Sequence, residues 1–111
     1  MNPIIIGGVH FSYHEKNHLR SDEGNRLLGQ IDFTQSTITT EKKIADETRR
    51  KVILHEVLHG IFEQAGLREE EAIKNAGEEV LIDILAYGFL NVLRTNPDLI
   101  RFLQETTEGV Q

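Results

Sequence analysis

The chain contains no cysteine and no tryptophan, and only two prolines and one methionine in 111 residues. Without cysteine it can form neither a disulfide nor a thiolate metal site, so disulfide-stapled secreted scaffolds are excluded as a class. Positive charge is also scarce. Twelve basic residues stand against 18 acidic ones, a net charge of −6, so the basic patch of a nucleic-acid surface is not expected. Long apolar runs are missing as well. The most apolar stretch, Val80 to Leu93, is 14 residues long and carries Asp83, whereas a membrane span needs about 20. The opening "MNPIIIGG" has no basic segment and only three consecutive isoleucines, which is not a signal peptide. These absences lead to the expectation of a soluble, cytoplasmic chain with neither a nucleic-acid nor a membrane partner. No repeat or linker divides it, and its length suits a single domain spanning 1–111.

What is present divides into a β-rich first third and a helical remainder, an α+β pattern. In "IIIGGVHFSYHE", Val9, Phe11 and Tyr13 alternate with His10, Ser12 and His14, the period of a half-buried strand. "LLGQIDFTQSTITTE" resumes β character, with a turn expected at Gln35-Ser36. From Ala45 the period changes. Leu54, Leu58, Ile61 and Ala65 form an i, i+4, i+7, i+11 stripe that predicts a core-facing helix, with Gly66 placed to cap it. The acidic run Glu69–Glu71 suits the start of a second helical stretch, interrupted at Gly77 and ending before Pro97. "DLIRFLQE" predicts a short closing helix capped by Asp98.

The first long helix carries the chemistry. In "HEVLHGIFEQAG", His55 and His59 are four residues apart, so they project only about 40° apart on one face. One helix can thereby offer two nitrogens to one metal ion. Glu56 lies about 100° round from His55, out of the coordination sphere but able to reach a water on an open position of the ion. This is the HExxH arrangement, in which two histidines bind Zn2+ and the glutamate serves as general base. A catalytic zinc needs a third protein ligand, and without cysteine a carboxylate on the next helix is expected. "AGEEVLIDILAYG" offers Glu78 and Glu79. Glu79 shares a face with Asp83, the single charge in the apolar run, so Glu79 is expected as ligand and Asp83 as the group that orients a ligand histidine. His10, His14 and His18 also recur every four residues. On a strand, however, such positions lie about 13 Å apart, so they are read as solvated. Arg49 and Arg50, just before the motif, are read as surface charge.

The combination of "HEVLH", Glu79 twenty positions after His59, and Asp83 four later resembles the HExxH…ExxxD pattern of gluzincins, the thermolysin-type metallopeptidases. The small size and the order of "GQIDFTQSTITT", the motif helix and "EEVLIDILAYGFLNVLRTNPDL" resemble the minimal gluzincins and the ImmA/IrrE-like metallopeptidases of bacteria and their phages. The "Asn-Pro" after the glutamate helix resembles the short phage-encoded members. The resemblance covers residues 29–98 and is sharpest in the HExxH portion. It implies a minimal zincin-like domain, with a small N-terminal sheet packed on the HExxH helix, a second helix carrying the glutamate, and a short C-terminal helix. It also implies Zn2+ held by His55, His59 and Glu79, hydrolysis of a peptide or protein substrate with Glu56 as base, and the strand near Thr37–Thr40 as the rim where substrate pairs. No histidine follows Glu79, so the oxyanion-stabilising histidine of larger gluzincins has no counterpart; Tyr13, Tyr87 and an arginine remain open for that role. This departure leaves a second reading, a weak or latent zinc-binding module that acts by contact, as a phage or prophage regulatory protein does. The tail "QETTEGVQ" lying across the cleft is compatible with either.

Overall fold

The structure, a computed structural model, describes residues 1–67 and 69–106. Two glycines fold the first strand pair. Gly7 and Gly8 both take positive φ, 55° and 80°, as a two-residue type I′ turn requires. They join β1 (Ile4–Ile6) to β2 (Val9–Lys16) with Ile5 opposite His10. Period-2 burial follows: Ile4, Ile6 and Phe11 are in the core and Tyr13 is half-buried. Val9, at the turn end of its strand, stays exposed. The turn expected at Gln35-Ser36 is present, with Ser36 at φ 54°, between β3 (Gly29–Asp32) and β4 (Thr37–Glu41). β4 runs parallel to β2 and antiparallel to β3, giving the order β1-β2-β4-β3.

The motif helix α1 (Asp46–Gln64) packs on this sheet, and Gly66 follows it at φ 75°. Its buried face is not the stripe expected from Leu54, Leu58 and Ala65. It is Ile53, Val57, Gly60 and Ile61, while Leu54 and Ala65 are exposed and Leu58 half-buried. The reason is Gly60, which an apolar count overlooks. A Cβ there would stand 2.7 Å from Ile6 Cδ1, so the helix meets the sheet most closely where it has no side chain. Gly29 does the same from the sheet side, since a Cβ on it would collide with Val52 Cγ1.

α2 (Glu70–Ala76) and α3 (Glu78–Thr95) are separated by Gly77 at φ 82°, and α4 (Pro97–Gln104) closes the chain. Asp98 does not cap α4. The N-cap is Asn96 and Pro97 takes the first helical position, where proline's fixed φ and missing N–H cost nothing. Asp98 pairs instead with Arg101 at 3.0 Å and with the amino terminus at 3.7 Å. The core joins Ile4, Ile6, Phe11 and Ile38 of the sheet to Ile53, Val57 and Ile61 of α1, Val92 of α3 and Leu99 of α4. The fold is α+β, as the pattern predicted. Among the described residues no helix is long and apolar enough to cross a membrane.

Candidate metal centre and cleft

With Ile53, Val57 and Ile61 fixed in the core, the phase of α1 turns His55 and His59 outward, and both are exposed. Their rings face each other nearly edge-on, with centroids 4.7 Å apart, and the two Nε2 atoms converge to 3.1 Å. Two nitrogens bound to one tetrahedral zinc at its usual bond length lie about 3.3 Å apart. The pair therefore holds its nitrogens, here within hydrogen-bonding distance of each other, at nearly the spacing one ion would require, and supplies two of the donors a zinc site needs.

Glu56, between them in sequence, points toward the sheet and is only 7% exposed. Burial raises its carboxyl pKa above the ordinary value, with the neighbouring His55 and His59 and the backbone N–H of Ile31 pulling the other way. Ile31 lies on β3, and a Cβ built on Gly29 would stand 3.3 Å from Glu56 Oε2, so the carboxylate sits against an edge strand. With Leu28, Gly29, Thr48, Lys51, Val52 and His55 it lines a cleft of about 460 Å³ between α1 and the start of β3.

The rim of this cleft is β3, which corrects the expectation of Thr37–Thr40. β4 is paired on both sides, by β2 and by β3, so its backbone has nothing left to offer a substrate. Just before β3 the carbonyl of Leu28 faces β4, accepting from Glu41 N–H at 2.8 Å. By strand alternation Gly29 and Ile31 turn their backbone groups outward. The opposite edge is closed: Asn96 bonds both backbone groups of Ile5, Asn91 Oδ1 accepts from Gly7 N–H at 2.9 Å, and Gln64 donates to the carbonyl of Ile6.

The structure does not bring the α3 carboxylates to the histidines. Glu78, Glu79 and Asp83 are all exposed. Glu79 projects about 140° round α3 from the buried Val92, and Asp83 about 180°. Asp83 does line a groove against Ile61, Gln64 and Ala65 of α1. Among the described residues no three His, Cys, Asp or Glu side chains stand together as an ion would need.

Neither tyrosine stands beside the histidines in the cleft lining. The Tyr13 hydroxyl is 2.7 Å from Thr40 Oγ1, and Tyr87 is 76% exposed on α3. Arg49 and Arg50, read from the sequence as surface charge, are buried and structural. Arg49 donates to Thr40 Oγ1 and to the carbonyls of Glu41, Lys42 and Ile44. Arg50 donates to the carbonyl of Phe102 and lies over its ring at 5.0 Å. Their spacing held the signal, since Arg49, Ile53 and Val57 recur every four residues on the core face. His10 and His14 are exposed on β2, and His18 follows that strand in the turn. In the tail, Glu105 is held by Arg50 at 3.6 Å, and residues 107–111, invoked as a cover for the cleft, lie outside the described residues.

Compared with protein-family models, with curated proteins and with solved structures, the chain gives no match.

Proposed function

We propose that this protein is a zinc-dependent peptidase. The observation that carries the reading is the convergence of His55 and His59 Nε2 to 3.1 Å beside a buried carboxylate. His55 and His59 would hold the ion; Glu79, the third donor expected from the sequence, stands exposed on α3 and would have to be brought to them by a change in how α3 is set. Zinc, when bound, supplies a Lewis acid that polarises a carbonyl and lowers the pKa of water. Everything else falls to the chain's own residues. Glu56, with its pKa raised by burial, is suited to accept a proton from the attacking water and return it to the leaving amine. The outward backbone of Gly29 and Ile31 offers an extended peptide a partly open edge to align on, and Leu28 and Val52 give its side chains an apolar floor.

A specific observation favours the second reading, a zinc-binding module acting by contact: no third donor stands with the histidines among the described residues. One experiment separates them. Zinc-loaded protein is incubated with a peptide library alongside its Glu56→Gln variant. Peptide-bond cleavage that the variant loses supports the peptidase; zinc binding at one ion per chain with no cleavage by either protein supports the module. A wild-type chain that takes up no zinc at neutral pH overturns both.

A further inference from the structure

We propose that α3 carries a surface for a second copy of this chain, paired antiparallel about a two-fold axis. This inference goes beyond the peptidase reading and does not rest on it. Of the 18 residues of α3, one, Val92, is fully buried. On another face Ile82, Ala86 and Leu93 recur at i, i+4 and i+11, the spacing of a helix-packing seam, with Phe89 (i+7) at its border, half-buried against the core of its own copy. Ile82 and Leu93 are 48% and 51% exposed, and Leu90, beside them, is 41% exposed.

The stripe is self-complementary. A two-fold axis between Ala86 and Phe89 sets the exposed Ile82 of each copy against the exposed Leu93 of the other, with small Ala86 letting the helices approach near the axis. The charges agree with that direction. The first turn of α3 is acidic, Glu78 and Glu79, and Arg94 is the basic residue of its last turn. Antiparallel pairing brings unlike charges together and opposes the helix dipoles; parallel pairing sets like against like. One helix face per copy is at the small end of interface sizes, so the dimer is expected to dissociate in the micromolar range.

Sedimentation velocity on the full chain from about 1 to several hundred micromolar tests this. The expected result is a shift from monomer to dimer with concentration. Ile82→Glu and Leu93→Glu, both at exposed positions, keep the far-ultraviolet dichroism and urea midpoint of wild type and remain monomeric throughout. Arg94→Glu weakens association about tenfold or more, and Arg94→Lys retains it. A wild-type chain that stays monomeric at several hundred micromolar overturns the proposal. So does a dimer indifferent to Leu93→Glu, which uses another surface, or one indifferent to Arg94→Glu, which is not antiparallel.

Discussion

The side-chain amide of Asn96 makes to Ile5 both hydrogen bonds that a neighbouring strand would make: Oδ1 accepts from the Ile5 N–H at 2.7 Å, and Nδ2 donates to its carbonyl at 2.7 Å. Asn96 stands between α3 and α4, and its side chain both bonds the last turn of α3 and seals the β1 edge of the sheet. With that edge sealed, the sheet's other edge is β3, whose Gly29 lines the cleft together with His55 and Glu56.

The first prediction concerns this clamp. Asn96 is 5% exposed, and Nδ2 also donates to the Val92 carbonyl at 3.0 Å. Removing the amide strands buried backbone groups, each worth about 1–3 kcal/mol. Asn96→Ala is therefore expected to lower stability by about 2–4 kcal/mol in urea unfolding. Asn96→Asp keeps an acceptor for Ile5 N–H but turns a carboxylate toward two carbonyls, and should be no better. A loss below about 0.5 kcal/mol would show that the clamp contributes little.

The second prediction concerns pH. Glu41 is buried at the end of β4, and its carboxylate accepts from the N–H groups of Leu19 at 3.1 Å and Lys43 at 3.4 Å. Desolvation pushes its pKa up, but the N–H groups of Leu19, Lys43 and Lys42, with the charge of His18, outweigh that and hold it below the ordinary value. A depressed carboxyl pKa contributes stability that is present above the unfolded-state value, about 4.3, and lost as pH falls through the folded-state value. Glu41→Gln should therefore lower the urea midpoint at pH 7, and the gap from wild type should close as pH is taken below the folded-state value. A gap that is constant with pH would mean that the loss is one of packing and not of charge.

Much of this architecture was legible in the residues. Alternation around Phe11 and the Gln35-Ser36 turn marked the strands, because local sterics dominate there; the Gly7-Gly8 turn that splits β1 from β2 was not read from the residues. The phase of α1 was not, because Gly60 acts through the absence of a side chain, which no hydrophobicity pattern records. Arg49 and Arg50 were misread for a related reason: charge predicts exposure unless the chain supplies enough carbonyls, and four acceptors for Arg49 come from the β4 end and the loop after it. Which strand forms the rim depends on strand order, and β4 lies inside the sheet only because β2 pairs with it from far earlier in the chain, Ser12 opposite Thr37 through Lys16 opposite Glu41. The histidine pair was fully legible, since its spacing is intrinsic to the helix. Where Glu79 and Asp83 would lie was not, because it depends on how α3 is set against α1.

The third prediction is aimed at that donor. One zinc per chain is expected by calorimetric titration, and His55→Ala or His59→Ala should abolish it. If Glu79 completes the set, Glu79→Gln weakens zinc strongly, Glu78→Gln leaves it unchanged, and Asp83→Asn costs about 10–100-fold, as loss of an orienting group does. Should Asp83→Asn cost far more than Glu79→Gln, the donor is the carboxylate that lines the groove against α1.

The last prediction separates what Glu56 does for the chemistry from what it does for the fold. Glutamine cannot act as a base, but its side-chain oxygen can still accept from the Ile31 N–H and keep β3 in place. Alanine can do neither. Glu56→Gln should therefore retain zinc affinity and stability while hydrolysis falls by about 10²–10⁴-fold, the usual worth of a general base. Glu56→Ala should lose hydrolysis to the same extent and also lose about 1–2 kcal/mol of stability as the Ile31 N–H is left without its partner. Amide exchange at Ile31 measures the second effect directly: protected in wild type and Glu56→Gln, faster in Glu56→Ala. If the two variants match in exchange and stability, Glu56 does not orient the strand. If Glu56→Gln keeps whatever partner binding or cleavage the wild type shows, the carboxylate is not a base, and the protein acts through contact.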